Sequence, residues 1–164
     1  MPDAASHLVF RRDVSEEDSR LVRELCESTR FFHAYEVDVA VELVVERLSK
    51  GTASGYEFVF ATLDGETVGY ACFGPIACTK SSYDLYWLVV GDRWRGRGYG
   101  RALLYESERL MRSLGATRLY AETSSREQYK PTRAFYERCG FRVDALLEDF
   151  YDAGDGKVIY VKSR

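Results

Sequence analysis

Two spacings of apolar residues recur along the chain, and each predicts a different kind of element. Short aromatic or β-branched runs, bounded by Gly, Pro or Asp, predict strands. Apolar residues three and four positions apart predict helices with one buried face. The predicted strands are His7–Arg11, Tyr56–Leu63, Thr67–Phe73, Tyr83–Val90, Arg118–Glu122, Phe141–Phe150 and Val158–Val161. Four helices are predicted. The first begins in a capping-box-like Ser15–Asp18, the second runs to about Leu48, the third covers Leu103–Leu114 and the fourth covers Thr132–Cys139.

The predicted order is therefore β-α-α-β-β-β-α-β-α-β-β. The segment Ile76–Ser82 is predicted to be a loop or a continuing hairpin arm. A chain of 164 residues without repeats or linkers predicts one domain.

Composition narrows the choice of partners. The chain is 46% hydrophobic and 30% charged, with a formal net charge of -3. Nothing in that balance favours nucleic acid or an anionic membrane as a partner. The sequence contains no signal peptide and no long apolar run, so we expect a soluble, cytoplasmic protein with reduced thiols.

Cysteine and histidine do not predict a metal site. The four cysteines form no CxxC pair, and His7 and His33 are isolated. We expect the cysteines to pack as small core residues. They are Cys26, Cys72, Cys78 and Cys139.

The stretch at residues 83–114 has an order that suits anion binding. The strand Tyr83–Val90 is followed by the Gly-rich segment Arg95–Gly100 and directly afterwards by a helix. The first turn of a helix has unpaired N–H groups, and glycines before it let an anion approach them. Arginines grip phosphate with two parallel hydrogen bonds. Those near the segment are Arg93, Arg95, Arg97 and Arg101.

Several other readings of this segment fit less well. A P-loop ends in Gly-Lys-Ser/Thr, which is missing here, and a Rossmann fingerprint needs GxGxxG near the start of the chain. A nucleic-acid-binding RGG segment is long and repeated, whereas this one is single. Three glycines and four arginines also exceed what a tight turn requires.

Two motifs resemble those of the Gcn5-related N-acetyltransferase (GNAT) family. Arg95-x-x-Gly98-x-Gly100 matches its Arg/Gln-x-x-Gly-x-Gly/Ala motif, with the same strand before and helix after. Phe135-Tyr136-x-x-x-Gly140-Phe141 resembles its Phe-Tyr-x-x-x-Gly-Phe signature. The motifs span residues 83–141, and the order of elements resembles the family over essentially the whole chain.

The resemblance implies a single GNAT domain over residues 1–164, an α/β fold with a mixed sheet of about seven strands and about four helices. It implies transfer of an acetyl group from acetyl-CoA to a primary amine of a small molecule or peptide, by direct attack and without a metal. We expect the protein to be a monomer or a homodimer. The alternative is a GNAT-like module that senses acyl-CoA without catalysis.

The resemblance also implies roles for individual residues. The backbone near Val89 and Val90 would pair with the pantetheine amides, and Tyr136 would protonate the leaving thiolate. The pyrophosphate would be held by Arg95, Gly96, Arg97, Gly98, Tyr99, Gly100 and Arg101.

One position departs from the family pattern. Many members have Asn six residues before the Phe of the second motif, and Ala three before it, where this chain has Tyr129 and Thr132. Tyr129, Gln128 or Ser125 would have to replace the contact that this Asn makes.

The general base is predicted to be Asp84, which is a carboxylate in an otherwise aromatic and aliphatic strand. Members that acetylate histone lysines have a catalytic Glu at this spacing before the first motif. Partial burial would raise the pKa of Asp84 towards neutrality. Glu122 or a water chain is the alternative base. Glu36 and Glu42 could attract a cationic acceptor, and aromatic residues could line its pocket or belong to the core. These are Phe31, Phe32, Tyr35, Tyr83, Tyr86 and Trp87.

Overall fold

The computed structural model describes residues 8–163, in which four α-helices and seven strands are found. The helices are α1 Glu17–Thr29, α2 Ala34–Lys50, α3 Tyr99–Ser113 and α4 Lys130–Arg138. The strands are β1 Val9–Arg11, β2 Glu57–Leu63, β3 Glu66–Pro75, β4 Ser82–Val90, β5 Arg118–Ser124, β6 Arg142–Asp152 and β7 Asp155–Ser163. The predicted order of elements is confirmed. His7, predicted to open the first strand, lies outside the described residues.

The strands form one mixed sheet in the order β1-β2-β3-β4-β5-β7-β6. β1, β2 and β3 pair antiparallel, β4 and β5 pair parallel, and β7 pairs antiparallel with both β5 and β6. The predicted fold class and the predicted parallel pairing of the two central strands are both confirmed.

The backbone forms two compact units. One extends to Gly74 and takes in Trp87–Leu110, and the other contains Pro75–Tyr86 and the chain from Met111 onward. The single-domain assignment of residues 1–164 stays a prediction.

The first unit buries the apolar faces of α1 and α2 with residues of β2 and β3. Val22 and Val44 are fully buried in this cluster. The rings of Phe58, Phe60 and Tyr70 stack in it, with centroids 5.8–6.3 Å apart. The 3.6-residue spacing of the helices therefore predicts most of their buried faces, but Val45 and Leu48, which belong to the predicted apolar face of α2, are exposed.

The start of α1 shows one half of the predicted capping-box-like pattern, the hydrogen bond from the Ser15 amide to the Asp18 side chain. Its N-cap is Glu16, which makes no side-chain cap hydrogen bond. Instead the fully buried carboxylate of Asp18 accepts a hydrogen bond of 2.8 Å from the Ser15 amide and pairs with Arg11 at 2.9 Å. A buried charge needs such partners, and this one connects β1 with α1.

The second unit buries residues on both faces of the β5 and β7 ladder. Leu119, Ala121 and Tyr160 are at most 1% exposed. Val161, opposite Tyr120, is also fully buried. By contrast, ten of the eleven residues of β6 are exposed, so that strand adds little to the core. The segment at residues 76–81 is a loop, which settles the choice left open by the sequence.

The cysteines follow the core prediction only in part. Cys26 and Cys72 are buried and Cys139 is half-buried, but Cys78 is exposed in the loop between β3 and β4. The prediction that Cys78 is a core residue is wrong.

Candidate active site

The Gly-rich segment is shaped by two glycines with left-handed backbone. After a 3₁₀ turn at Asp92–Trp94, Gly96 has φ 73° and Gly98 has φ 84°. Side-chain-bearing residues rarely adopt such angles, so the sequence of this segment determines its local path. A β-carbon on either glycine would meet no heavy atom within 4 Å. Space beside the backbone is therefore open at both positions.

The amides that begin α3 are available to a ligand. The amide of Ala102 donates to the carbonyl of Gly98 at 3.1 Å, so Gly98 precedes the first helical residue. The N–H groups of Tyr99, Gly100 and Arg101 therefore lie in the first turn, and Gly98 has no side chain to cap them. No hydrogen bond from these three amides to another part of residues 8–163 is found.

Three of the predicted cofactor residues, Tyr99, Gly100 and Arg101, fall in α3 rather than in the loop. Gly100 belongs to the first turn of α3, and Tyr99 opens it. The Tyr99 side chain is only 6% exposed and its ring lies 6.3 Å from that of Trp94. The backbone amide of Tyr99, rather than its side chain, is therefore available to bind an anion.

The arginines beside this turn are exposed and only loosely engaged. Arg93 pairs with Glu66 at 3.1 Å. The Arg95 guanidinium lies 5.1 Å above the ring of Phe31, and that of Arg97 lies 5.6 Å above the ring of Trp94. These contacts leave the N–H groups of the guanidinium edges available for phosphate oxygens.

The end of β4 lies unusually close to β3. A β-carbon on Gly69 would lie 2.6 Å from the carbonyl oxygen of Val89, so only glycine fits there. The amide of Gly91 donates to Val68 at 2.9 Å. The ladder that pairs β4 with β5 ends at Leu85 and Ala121, five residues before β4 itself ends at Val90.

Tyr136 lies in an aromatic cluster on α4. It is 7% exposed, and its ring is 5.6 Å from that of Phe135, 5.5 Å from that of Phe141 and 5.7 Å from that of Tyr160. Burial raises the pKa of its hydroxyl far above the ordinary value, with the Cys139 thiol adding to the rise. Tyr136 is therefore protonated at neutral pH, but it is a weaker acid than a tyrosine in water.

Asp84 lies half-buried on β4, in register with Tyr120 of β5. The pKa of its carboxyl is raised to about 6, chiefly by desolvation and also by the charge of Glu122, whereas Lys157 acts to lower it. Glu122 itself is paired with Lys157 at 2.9 Å. The expected rise of the Asp84 pKa is confirmed, and Lys157 is a neighbour that the sequence pattern did not indicate.

Side chains in the region before α4, where the family Asn is missing, make hydrogen bonds to nearby groups. The hydroxyl of Ser125 accepts a hydrogen bond of 2.8 Å from the amide of Gly156, so it bonds a nearby backbone group. Tyr129 lies near Arg126, whose guanidinium is 5.8 Å from the ring centre. The hydroxyl of Ser124 donates to Asp155, which fixes the end of β5 to the start of β7.

The candidate acceptor residues are dispersed. Phe32 and Trp87 make an edge-to-face contact at 5.1 Å against the core of the first unit, and Tyr35 is 67% exposed. Glu36 accepts a hydrogen bond from the His33 amide and so caps α2. Glu42 is exposed.

Two kinds of feature are not found within residues 8–163. None of the helices there combines the length and apolar character that a membrane span requires. No group of three or more His, Cys, Asp or Glu side chains in that range could hold a metal ion.

Comparisons with known proteins agree with this geometry. The profile of the acetyltransferase (GNAT) family matches residues 19–141. A crystal structure of a protein assigned as a GNAT-family acetyltransferase, from Desulfovibrio desulfuricans, is 51% identical with a TM-score of 0.93, over 95% of this chain and 98% of that one. This chain belongs to the GNAT family of acetyltransferases.

More distant structures share the fold. An aminoglycoside 6'-N-acetyltransferase complexed with coenzyme A is 19% identical, with a TM-score of 0.74 over 94% of this chain and 96% of that one. The ribosomal-protein-S18-alanine N-acetyltransferase of Escherichia coli is 16% identical, with a TM-score of 0.74 over 95% and 93%. A search of curated proteins finds no match to the chain.

Proposed function

We propose that this GNAT protein transfers the acetyl group of acetyl-CoA to a primary amine by direct attack in a ternary complex. The observation that carries the proposal is the start of α3. There, three consecutive amides have no acceptor within residues 8–163, behind a glycine with left-handed backbone and open space beside it. Such a helix start recognises a phosphate group through its N–H groups and its dipole.

The donor would be held by two parts of the first unit. The backbone of residues 95–101 would bind the pyrophosphate, with the exposed guanidinium groups of Arg95, Arg97 and Arg101 adding charge. Val89 and Val90 would pair through their backbone with the pantetheine amides. This role is supported by the β4–β5 ladder, which ends at Leu85 and leaves the last residues of β4 beyond it.

Asp84 would act as the general base. A primary ammonium of lysine type has a pKa of about 10.4, so it must lose a proton before its nitrogen can attack. The Asp84 carboxylate, whose pKa is about 6, is ionised at pH 7 and would accept that proton through a bridging water. The nitrogen then forms a bond with the carbonyl carbon as the C–S bond breaks.

Tyr136 would complete the proton transfers as the general acid. Its hydroxyl, kept protonated by burial, would give a proton to the leaving sulfur. Asp84 releases its proton to solvent, the nitrogen loses its second proton to solvent as the amide forms, and Tyr136 is protonated again from solvent. The net products are an acetamide, a free CoA thiol and one proton, and the proposed transfer needs no metal ion or covalent enzyme intermediate.

The acceptor class is a primary amine, on either a small molecule or a peptide. The two more distant enzymes compared above are named for one of each kind, an aminoglycoside and a ribosomal protein. We continue to expect a cytoplasmic protein that is a monomer or a homodimer.

A panel of amines tests this function. Free thiol release from acetyl-CoA is measured with polyamines, aminoglycosides and lysine-containing or N-terminal peptides, beside calorimetry of acetyl-CoA binding. We expect binding together with amine-dependent release by at least one class. Binding without turnover for any amine would favour the acyl-CoA-sensing module, and absence of binding would contradict both.

A further inference from the structure

Lys157 belongs to the same face of the sheet as the two candidate bases. Antiparallel pairing places Glu122 opposite Ile159 and Ser124 opposite Lys157, so Glu122 and Lys157 are diagonal neighbours on one face. The parallel pair of Asp84 and Tyr120 places Asp84 on that face as well. Two carboxylates and one ammonium thus come from β4, β5 and β7.

The Lys157 ammonium is fixed by two kinds of contact. It lies 2.9 Å from a carboxylate oxygen of Glu122. It also lies 3.8 Å from the ring centre of Phe150 and 5.8 Å from that of Tyr151, near the end of β6. The Lys157 side chain is 14% exposed, whereas that of Glu122 is 42% exposed, so the ammonium is the more shielded partner of the pair.

The contacts distinguish the two carboxylates. Glu122 has an ammonium partner, whereas Asp84 is not paired with any cation in residues 8–163. Because the Lys157 ammonium engages the Glu122 carboxylate, that carboxylate is less available to accept a proton from the amine. The unpaired carboxylate next to it remains the better base.

We propose that Lys157 is a positioning residue for acetyl transfer: its ammonium, which lies over the Phe150 ring, neutralises Glu122 and so leaves Asp84 as the proton acceptor. The inference rests on the proposed function, in that Asp84 is the base. The charged groups that face Asp84 are Glu122 from β5 and Lys157 from β7. Tyr120 is its register partner, and Tyr86 follows it on the same face of β4.

The proposal is tested by variants that remove the charges of Lys157 and Glu122 one at a time and together. The protonation of Asp84 is followed directly by carbon NMR of its carboxyl, assigned by comparison with Asp84→Asn, and also by the acidic limb of kcat/KM. Lys157→Met should raise both the NMR titration midpoint of Asp84 and the pH of the acidic limb by about one pH unit, because the negative charge of Glu122 is then uncompensated. Glu122→Gln should move both downward. The double variant should return close to wild type, since it removes a neutral pair.

Two further variants separate this role from packing. Lys157→Arg keeps the charge and should restore the wild-type titration. Lys162→Met removes a lysine from the other face of β7 and should leave the Asp84 titration where it was. If Lys157→Met does not fold, Glu122→Gln alone still tests the proposal through its predicted downward shift.

The outcomes separate the inference from the function on which it rests. Suppose that the titration of Asp84 is unchanged in the Lys157 and Glu122 variants, while Asp84→Asn removes the acidic limb of kcat/KM. That result would overturn the role of Lys157 only. The same conclusion would follow if the Asp84 titration of the double variant stayed shifted from that of the wild type. An acidic limb that survives in Asp84→Asn would overturn Asp84 as the base.

Discussion

Asp84 lies directly across the parallel ladder from Tyr120, and therefore on the same face of the sheet as Glu122, two residues further along β5. This relationship places a second carboxylate beside a half-buried one. Burial raises the pKa of Asp84 to about 6, and the charge of Glu122 contributes in the same direction. A carboxylate with such a pKa is ionised at pH 7 and is still basic enough to take a proton.

We predict that kcat/KM rises with pH up to about 6 and then levels, because the base must be ionised. Asp84→Asn should remove this limb and lower activity at pH 7 by about 10²-fold, with partial recovery at high pH, where the amine loses its own proton. Glu122→Gln is the comparison. A pH–rate profile that is unaltered in Asp84→Asn would move the role to Glu122 or to a water chain.

The ionised Asp84 carboxylate should lower the free energy of unfolding. Its folded-state pKa of about 6 lies above its unfolded value of 3.8, so the folded protein binds more protons between these pH values and loses stability as pH rises through them. After allowance for its partial exposure, Asp84→Asn should raise the free energy of unfolding by about 1 kcal/mol at pH 7.5. Urea unfolding should give a smaller gain at pH 4.5. A loss of stability at pH 7.5 would contradict this prediction.

Gly98→Val should weaken acetyl-CoA binding by at least about tenfold in calorimetry, because the new side chain enters space beside the free amides of α3. Gly65→Val is a matched control. Gly65 has φ 83°, almost the same as Gly98, and a β-carbon there would also meet no heavy atom within 4 Å, but it lies in the β2–β3 turn. Equal losses in both variants would point to backbone strain rather than to a phosphate site.

Tyr136→Phe should lower kcat by about 10²-fold with little change in acetyl-CoA affinity, since only the proton donor is removed. Tyr160→Phe is the control within the same ring cluster. The Tyr160 hydroxyl donates to Glu137 at 3.2 Å, and burial raises its pKa to about 12. If Tyr136→Phe keeps wild-type kcat where chemistry limits the rate, Tyr136 has a packing role only.

The order of elements was predictable because most of them carry a clear spacing signal. α2 ends at Lys50, immediately before the predicted stop Gly51. The last two strands were predicted too short. β7 begins at Asp155 rather than Val158, since Asp155 and Lys157 are polar residues that pair in the ladder without following an apolar pattern.

The site was predictable where a local motif defines it and not where register does. Gly96 and Gly98 indicate the left-handed turn before α3 from sequence alone. Lys157 lies 35 positions from Glu122, and only the antiparallel ladder between β5 and β7 brings them within 2.9 Å. No spacing rule along a single chain reports such a pair.

Transfer of a labelled acetyl group from acetyl-CoA to an amine is the direct measurement of the proposed reaction. The protein is mixed with acetyl-CoA labelled with ¹³C at the carbonyl and with an amine from the active class, and both the amine and the intact protein are analysed by mass spectrometry. We expect labelled acetamide in amounts equal to the CoA released, with the mass of the protein unchanged. Labelled acetyl bound covalently to the protein, or CoA binding with no acetylated amine from any class, would contradict it.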